Sequence, residues 1–318
     1  MKCSNQKPVL FFLGDVALDE YYRAPYWPKI KDKVLVQPLP FVPGGMIANA
    51  ACVAAALGAE THFLAALNRG QVTDRLVQDL QVQGIDTQWI VYDDALPDAK
   101  TIIILTEDEH TVFIPTMGIQ RIEIPLKTLT FIQDADYLYT NLAEFKPVSC
   151  AGKSALVLLK QIRKAGCKVV FDMDVDPLAG EEKDYLTEID ILFMNETGFA
   201  RMKRNRSEEE CIREIFHNGV EMFVVTKSDE GCDVYTNGMK WHVPGIPVEV
   251  IDVTGAGDTF AGSFIYAYHK WQDPYQAAVF ATAAAARSVS AIGARSGVGN
   301  EQDIFAFMKN HGIEWGGC

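Results

Sequence analysis

The segment IDVTGAGDTFAGSFIYAY, residues 251–268, combines small residues with a single carboxylate. Gly255, Ala256 and Gly257 precede a stretch with apolar residues at helical spacing, which predicts a loop that opens into a helix. Unpaired N–H groups in a first helical turn favour negative charge, and small side chains let phosphate oxygens approach them. Asp258 lies in that turn and can accept a proton from a hydroxyl. The segment predicts a phosphate site beside a general base, although a tight turn with an acidic helix start has the same local sequence.

Two further segments offer groups that can contact a polar ligand. In PGGMIANAACVAAALGA, residues 43–59, Gly44 and Gly45 allow close approach to the backbone before an alanine-rich helix. Asn49 is the polar exception on that helix, and either a hydrogen-bonded core amide or a ligand contact fits it. In GDVALDEYY, residues 14–22, the local sequence by itself indicates only that Asp19 is a turn aspartate.

Short apolar runs near residues 9, 61, 137, 168, 190 and 222 alternate with helical stretches. This pattern predicts an α/β fold with a doubly wound, mostly parallel central sheet flanked by helices. Residues 101–115 predict an antiparallel hairpin, and the proline-rich residues 20–43 predict extended chain. We therefore expect one domain over residues 1–318, with a small β-sheet lid from residues 18–43 and 97–121. A surface excursion is the alternative for the lid segments.

Composition limits the classes of partner. The 318 residues carry 29 basic and 42 acidic side chains, a formal charge of -13, which argues against nucleic acid. No apolar stretch approaches the roughly 20 residues that span a bilayer, so we expect no membrane partner. Seven scattered cysteines without metal-site spacing predict reduced thiols and a cytoplasmic protein.

The motif DVTGAGDTF resembles the C-terminal signature of the ribokinase-like (PfkB) family of carbohydrate kinases, and PGGMIANAACVAAALGA resembles the N-terminal one. The resemblance extends across nearly the whole chain. It implies transfer of phosphate from ATP to a sugar hydroxyl, with Asp258 as base and an anion hole over Gly255, Ala256 and Gly257. It further implies that the sugar is held by four residues, namely Asp19, Gly44, Gly45 and Asn49.

The same resemblance implies the remaining ligands. ATP with Mg²⁺ would lie along Asn195, Thr226 and Gly231. Asp252 and Thr254 would bind a monovalent cation, K⁺ being the expected ion. Family resemblance also implies a small-molecule sugar as substrate and a homodimer formed through the lids, and a monomer fits the sequence equally well.

The chain departs from the family pattern in three segments. In the NxxE element, tied to Mg²⁺ and phosphate, Asn195 matches, but Gly198 stands where the acid is expected; Glu196 is the candidate substitute. NRGQVT, residues 68–73, replaces the usual GxDxxG. FDMDVDP carries Asp172, Asp174 and Asp176, which fit either a metal site or a solvated strand end.

Two alternative functions stay open. A nucleoside kinase of the same family could stack its base on aromatic residues near the lid, namely Tyr21, Tyr22, Tyr26 and Trp27. A catalytically weak relative that binds sugar or nucleotide is the other, because Gly198 removes an expected acid. The sequence does not distinguish among sugars or hydroxyls.

Overall fold

A computed structural model describes residues 6–107, 110–173 and 180–316. Cys3, Asp174, Asp176 and Cys318 lie outside the described residues. The strands are β1 (Val9–Leu13), β2 (Ala17–Arg23), β3 (Gln37–Pro38), β4 (Val42–Gly44), β5 (Glu60–Leu64), β6 (Ala66–Leu67), β7 (Val91–Tyr92), β8 (Lys100–Leu105), β9 (His110–Phe113), β10 (Ile122–Glu123), β11 (Tyr137–Thr140), β12 (Val148–Cys150), β13 (Lys153–Ser154), β14 (Lys168–Met173), β15 (Ile191–Asn195), β16 (Met222–Thr226), β17 (Cys232–Thr236) and β18 (Met239–Val243). The helices are α1 (Met46–Ala56), α2 (Gln71–Val82), α3 (Leu126–Asp134), α4 (Leu142–Phe145), α5 (Ala155–Ala165), α6 (Glu196–Lys203), α7 (Glu208–His217), α8 (Ala256–Trp271), α9 (Pro274–Ser288) and α10 (Glu301–Asn310).

The larger sheet has the order β18-β17-β16-β15-β14-β11-β1-β5. From β5 to β16 every neighbouring pair is parallel, while β17 and β18 form an antiparallel edge. The parallel strands are apolar on both faces, as strands covered by two helix layers require. The predicted doubly wound, mostly parallel α/β fold is confirmed.

The two faces of β1 show how the helix layers are arranged. Leu10 and Phe12 belong to a core that includes residues of α1, α8 and α9. Phe11 and Leu13 belong to a second core that includes residues of α3, α5, α6 and α7. Helices α1 and α8 pack closely, because a Cβ at Gly262 would lie only 2.7 Å from the Ala50 carbonyl oxygen. Small residues at this contact therefore allow the backbones of α1 and α8 to lie close together.

A second sheet has the order β3-β2-β8-β9, with β4 also paired to β2. Strands β8 and β9 are antiparallel, which confirms the predicted hairpin, and β2 and β8 are parallel. This sheet draws on both segments predicted to form a lid. Phe113 in β9 and the flanking Phe41 and Ile114 are exposed apolar side chains. Its action as a lid, and the single-domain division, stay predictions.

The lengths of the helices and the state of the cysteines relate to the predictions made from composition. None of the helices in the described ranges is long and apolar enough to cross a membrane. The described cysteines Cys52, Cys150, Cys167, Cys211 and Cys232 are buried and unpaired, in agreement with reduced thiols.

Candidate active site

The loops that follow the parallel strands meet at the carboxyl edge of the larger sheet. Asp15 follows β1, Asn141 follows β11, and Asn195 and Thr226 end β15 and β16. Loops at this edge are where ligands bind in open α/β sheets. The residues that follow or end these strands therefore lie at one edge of the sheet.

Helix α1 begins at a glycine whose backbone only glycine adopts easily. Gly45 has φ 101°, and a Cβ there would lie 2.7 Å from the Val16 Cα. Because Gly45 has no side chain to cap the helix, Asp15 does so from the end of β1. Its carboxylate accepts from the N–H groups of Met46 at 2.8 Å and Ile47 at 3.0 Å. Sequence reasoning missed Asp15; its position after an apolar strand was the available signal.

Asp19 lies directly over Gly44. A Cβ at Gly44 would lie 2.1 Å from the Asp19 Oδ2, so glycine leaves the space that this carboxylate occupies. Burial raises the pKa of Asp19 from 3.8 to about 6, against the lowering effects of a Thr101 hydrogen bond and the Arg295 charge. The nearby Asp15 carboxylate raises it further. Asp19 is thus an acceptor whose charged form is disfavoured by its surroundings.

Asn49 and Asp258 are in direct contact. The Asn49 Nδ2 donates to the Asp258 Oδ2 at 2.8 Å, across 209 residues of sequence. Asn49 is 5% exposed, and its Oδ1 accepts from the Arg295 Nε at 2.8 Å. The amide is therefore hydrogen-bonded in the core and beside the predicted base at the same time. Sequence reasoning did not single out Arg295.

The loop predicted to bind an anion, residues 255–257 and called the anion loop below, makes one backbone hydrogen bond that the sequence did not predict. Gly255 has φ 75° at the start of α8, and a Cβ there would lie 2.6 Å from the Ala294 carbonyl oxygen. The Ala256 N–H donates to the Val253 carbonyl at 3.2 Å, so this amide already has a partner. In the part of the chain that the structure describes, the N–H groups of Gly255 and Gly257 have no protein acceptor. The turn uses the Ala256 amide, so two of the three predicted amides, those of Gly255 and Gly257, are left to contact an anion. The anion hole itself stays a prediction.

Asp252 accepts hydrogen bonds from residues on both sides of the anion loop. Its Oδ1 accepts from the Thr254 N–H at 2.9 Å and the Thr254 hydroxyl at 2.7 Å. Its Oδ2 accepts from the Gly293 N–H at 2.8 Å, which ties this loop to the one after α9. A monovalent cation at Asp252 and Thr254 would have to share the carboxylate with these donors. That cation site stays a prediction.

The predicted nucleotide residues adjoin one another on β15 and β16. Asn195 and Thr226 are register partners, and the Asn195 Oδ1 caps α6 by accepting from the Gly198 N–H at 2.7 Å. Gly198, where the family's acid is expected, is buried. The Glu196 carboxylate accepts from the Ser228 hydroxyl at 3.3 Å, in the loop after β16. Glu196 therefore points toward the predicted nucleotide groove.

Gly231 ends that loop with a backbone that requires glycine. Its φ is 96°, and a Cβ there would lie 2.1 Å from the Val243 carbonyl oxygen. Gly245 is equally close to the Asp229 carbonyl oxygen, at 2.0 Å for a built Cβ. Gly231 thus shapes the loop, whatever it contacts in a complex.

Two further acidic groups lie near this edge. The Tyr139 hydroxyl donates to the Asp172 Oδ2 at 2.5 Å. Burial and the Asp15 carboxylate raise the pKa of Glu144 to about 7. Within the described residues no group of three or more histidine, cysteine or acidic side chains is arranged to hold a metal ion. The metal-site reading of residues 172–176 gains no support from the part that is described.

Comparison with known proteins matches residues 12–301 to the family described as pfkB family carbohydrate kinase. A ribokinase of Haemophilus influenzae is 26% identical over 312 residues, covering 96% of this chain and 99% of the relative. Fructokinase-2 of Zea mays is 25% identical over 236 residues, covering 70% of each. The solved structure of Arabidopsis thaliana ribokinase complexed with ribose and ATP has a TM-score of 0.82 at 22% identity, covering 96% of this chain and 99% of that one.

The fold and the family match agree. The structural likeness supports the fold, and the family model covers most of the chain, including both sequence signatures. The chain belongs to the pfkB family of carbohydrate kinases, and the protein is an ATP-dependent carbohydrate kinase.

Proposed function

We propose that the protein transfers the γ-phosphate of ATP to a sugar hydroxyl, with Asp258 as the general base. The observation that carries this proposal is the position of Asp258 in the first turn of α8. Two amides without a protein acceptor among the described residues, those of Gly255 and Gly257, lie just before it. Asn49, on the helix that follows the double glycine, contacts its carboxylate. Asp258, the loop before α8 and Asn49 lie within one short region, which supports the roles proposed for them.

The start of α8 suits a phosphate group. Gly257 is exposed and a Cβ there would meet nothing within 4 Å, so phosphate oxygens have room at this turn. The dipole of this 16-residue helix adds favourable charge at its first turn. Bound Mg²⁺ would supply positive charge to the phosphates of ATP. Asn195 and Glu196 are the side chains proposed to face it.

The sugar side is proposed to contain Asp19, Gly44, Gly45 and Asn49. Asp19 would accept hydrogen bonds from sugar hydroxyls, and the two glycines would allow the sugar close to the backbone. Asp258 would remove the proton from the attacking hydroxyl as the bond to phosphorus forms. Holding both reactants in this geometry supplies much of the rate enhancement in phosphoryl transfer.

A sugar is better supported than a nucleoside as the acceptor. Trp27 stacks on Phe113 of the second sheet, with ring centroids 6.3 Å apart, so one face of its indole is already covered. Tyr21 lies near the carboxylates of Asp19 and Asp252. Burial, together with these two negative charges, raises the pKa of Tyr21 to about 12. A hydroxyl beside carboxylates suits polar contacts more than stacking on a nucleobase.

The second sheet is proposed to act as a lid over the sugar and as the contact of a homodimer. Its exposed apolar side chains support an interface. We further propose that the protein acts in the cytoplasm and that K⁺ binds at Asp252 and Thr254. Activity with and without K⁺, and sedimentation of the protein over a range of concentrations, test the cation and the dimer.

The central test is a coupled ADP-release assay with ketoses, aldoses, sugar acids and nucleosides as acceptors. With the best acceptor, Asp258→Asn is expected to lower kcat by about 100-fold or more, as loss of a general base does. Asp74→Asn is the matched control, because Asp74 is an exposed acid in the first turn of α2. Near-normal turnover by the Asp258 variant refutes the base, and no ADP release with any acceptor refutes the transfer reaction.

A further inference from the structure

Arg295 connects three segments that lie apart in the sequence. Its Nη2 donates to the Gly44 carbonyl at 3.0 Å, and its Nε donates to the Asn49 Oδ1 at 2.8 Å. Its Nη1 is hydrogen-bonded to the Asp79 carboxylate of α2. The arginine side chain is only 13% exposed. A largely buried guanidinium with acceptors on β4, α1 and α2 is held in one orientation.

This contact determines which way the Asn49 amide faces. A guanidinium has donors only, so the amide oxygen must face Arg295. The amide NH₂ is therefore directed at Asp258, and its Nδ2 donates to the Asp258 Oδ2. Rotating the amide by 180° would oppose donor to donor and acceptor to acceptor. Arg295 thus orients Asn49, and Asn49 in turn contacts the Asp258 Oδ2.

The loop that carries Arg295 also contacts the anion loop. The Gly293 N–H donates to Asp252, and the Ala294 carbonyl packs against Gly255. The loop after α9 therefore contacts the anion loop and Asp252 through its backbone. It contacts the proposed sugar-binding residues Gly44 and Asn49 through Arg295. A change in the arginine contacts can alter how the two sides are aligned.

We propose that Arg295 is a positioning residue for phosphoryl transfer, which acts by orienting the Asn49 amide and through it the carboxylate of Asp258. The proposal rests on the proposed function, because it assigns Asp258 the role of base. Arg295 itself needs no contact with the substrate. Its charge also acts on Asp19 and Asp15, so the test must separate orientation from charge.

Arg295→Lys keeps the charge but has a single nitrogen, which cannot reach three acceptors. We expect kcat to fall by about 10- to 100-fold, as misplacement of reacting groups does, with the KM for ATP changed less than threefold. Arg163→Lys is the matched control. Like Arg295, Arg163 contacts three acceptors; these are the buried Asp190 carboxylate and two backbone carbonyls, at the opposite edge of the sheet. It is expected to lower the Tm while kcat stays within twofold.

A double-mutant cycle tests the route through Asn49. If Arg295 acts by orienting that amide, Arg295→Lys lowers kcat in the wild type and has no further effect in an Asn49→Ala background. Thermal unfolding confirms that each variant is folded. Equal effects of Arg295→Lys in both backgrounds, or unchanged kcat in the single variant, overturn the proposal. If Asp258→Asn is inactive while Arg295→Lys is fully active, the base assignment stands and only the positioning role fails.

Discussion

Replacing Asp19 with asparagine is expected to increase the free energy of unfolding at neutral pH and to weaken sugar binding. Burial raises the pKa of the Asp19 carboxyl from 3.8 to about 6, so the folded protein disfavours its charged form. Relative to the unfolded chain, the stability contributed by the protonated group is fully present below pH 3.8 and is lost as the pH rises through about 6. Asparagine has no charged form, so the variant avoids this loss.

The size of the effect follows from the shift. A change in pKa from 3.8 to about 6 corresponds to about 3 kcal/mol for a fully buried group. Asp19 is partly exposed, and solvent screening reduces the value, so we expect a gain of about 1 to 2 kcal/mol at pH 7.5. At pH 5 the wild-type carboxyl is largely protonated in the folded state, and the gain falls to about half.

Urea unfolding at pH 7.5 and pH 5 measures this difference, and initial rates give the KM for the sugar. We expect that KM to rise by about tenfold, or about 1.4 kcal/mol, because an amide is a weaker acceptor than a carboxylate. The KM for ATP should stay the same. An Asp19→Asn variant that is less stable at pH 7.5, or whose gain does not shrink at pH 5, refutes the reasoning.

Asp233 provides a control of opposite sign. Although burial acts to raise it, hydrogen bonds from Lys227, His242 and Lys240 lower the pKa of Asp233 to about 2. Its contribution to stability is present above the unfolded value of 3.8 and is lost as the pH falls through about 2. Asp233→Asn is therefore expected to destabilise the protein at pH 7.5 by about 2 to 4 kcal/mol, since it breaks a buried charge network.

Glycine substitutions test the geometry of both sides of the site. Gly44→Ala must displace the Asp19 carboxylate, so the KM for the sugar should rise by about tenfold in initial-rate assays while the KM for ATP is unchanged. Gly257→Ala has room for its methyl group and should keep the wild-type Tm, but the KM for ATP should rise because the methyl occupies the phosphate space. Gly255→Ala should lose about 1 to 3 kcal/mol in urea unfolding, because φ is 75° and the Ala294 carbonyl is close; a Tm equal to that of Gly257→Ala would contradict this.

Local features of the site could be predicted from the residues alone. Apolar runs that alternate with helical stretches indicated the parallel sheet, because strands buried on both faces must consist almost entirely of apolar residues. Gly255 and Asp258 indicated a helix start that favours negative charge, since that property depends on a few consecutive residues. The proline-rich and β-branched segments likewise indicated a second sheet, and the hairpin of β8 and β9 agrees.

Contacts between distant residues were decided only by the tertiary structure. Asn49 meets Asp258 because small residues let α1 and α8 pack closely, and Arg295 reaches Asn49 from a loop 246 residues further along the chain. The Ala256 amide is used in a turn whose closure the sequence did not reveal. The sequence determined which polar side chains and backbone amides lie at the ends of helices and strands, because helix starts and turns depend on a few consecutive residues. Which of them touch depends on how whole helices pack, and no short stretch of residues encodes that.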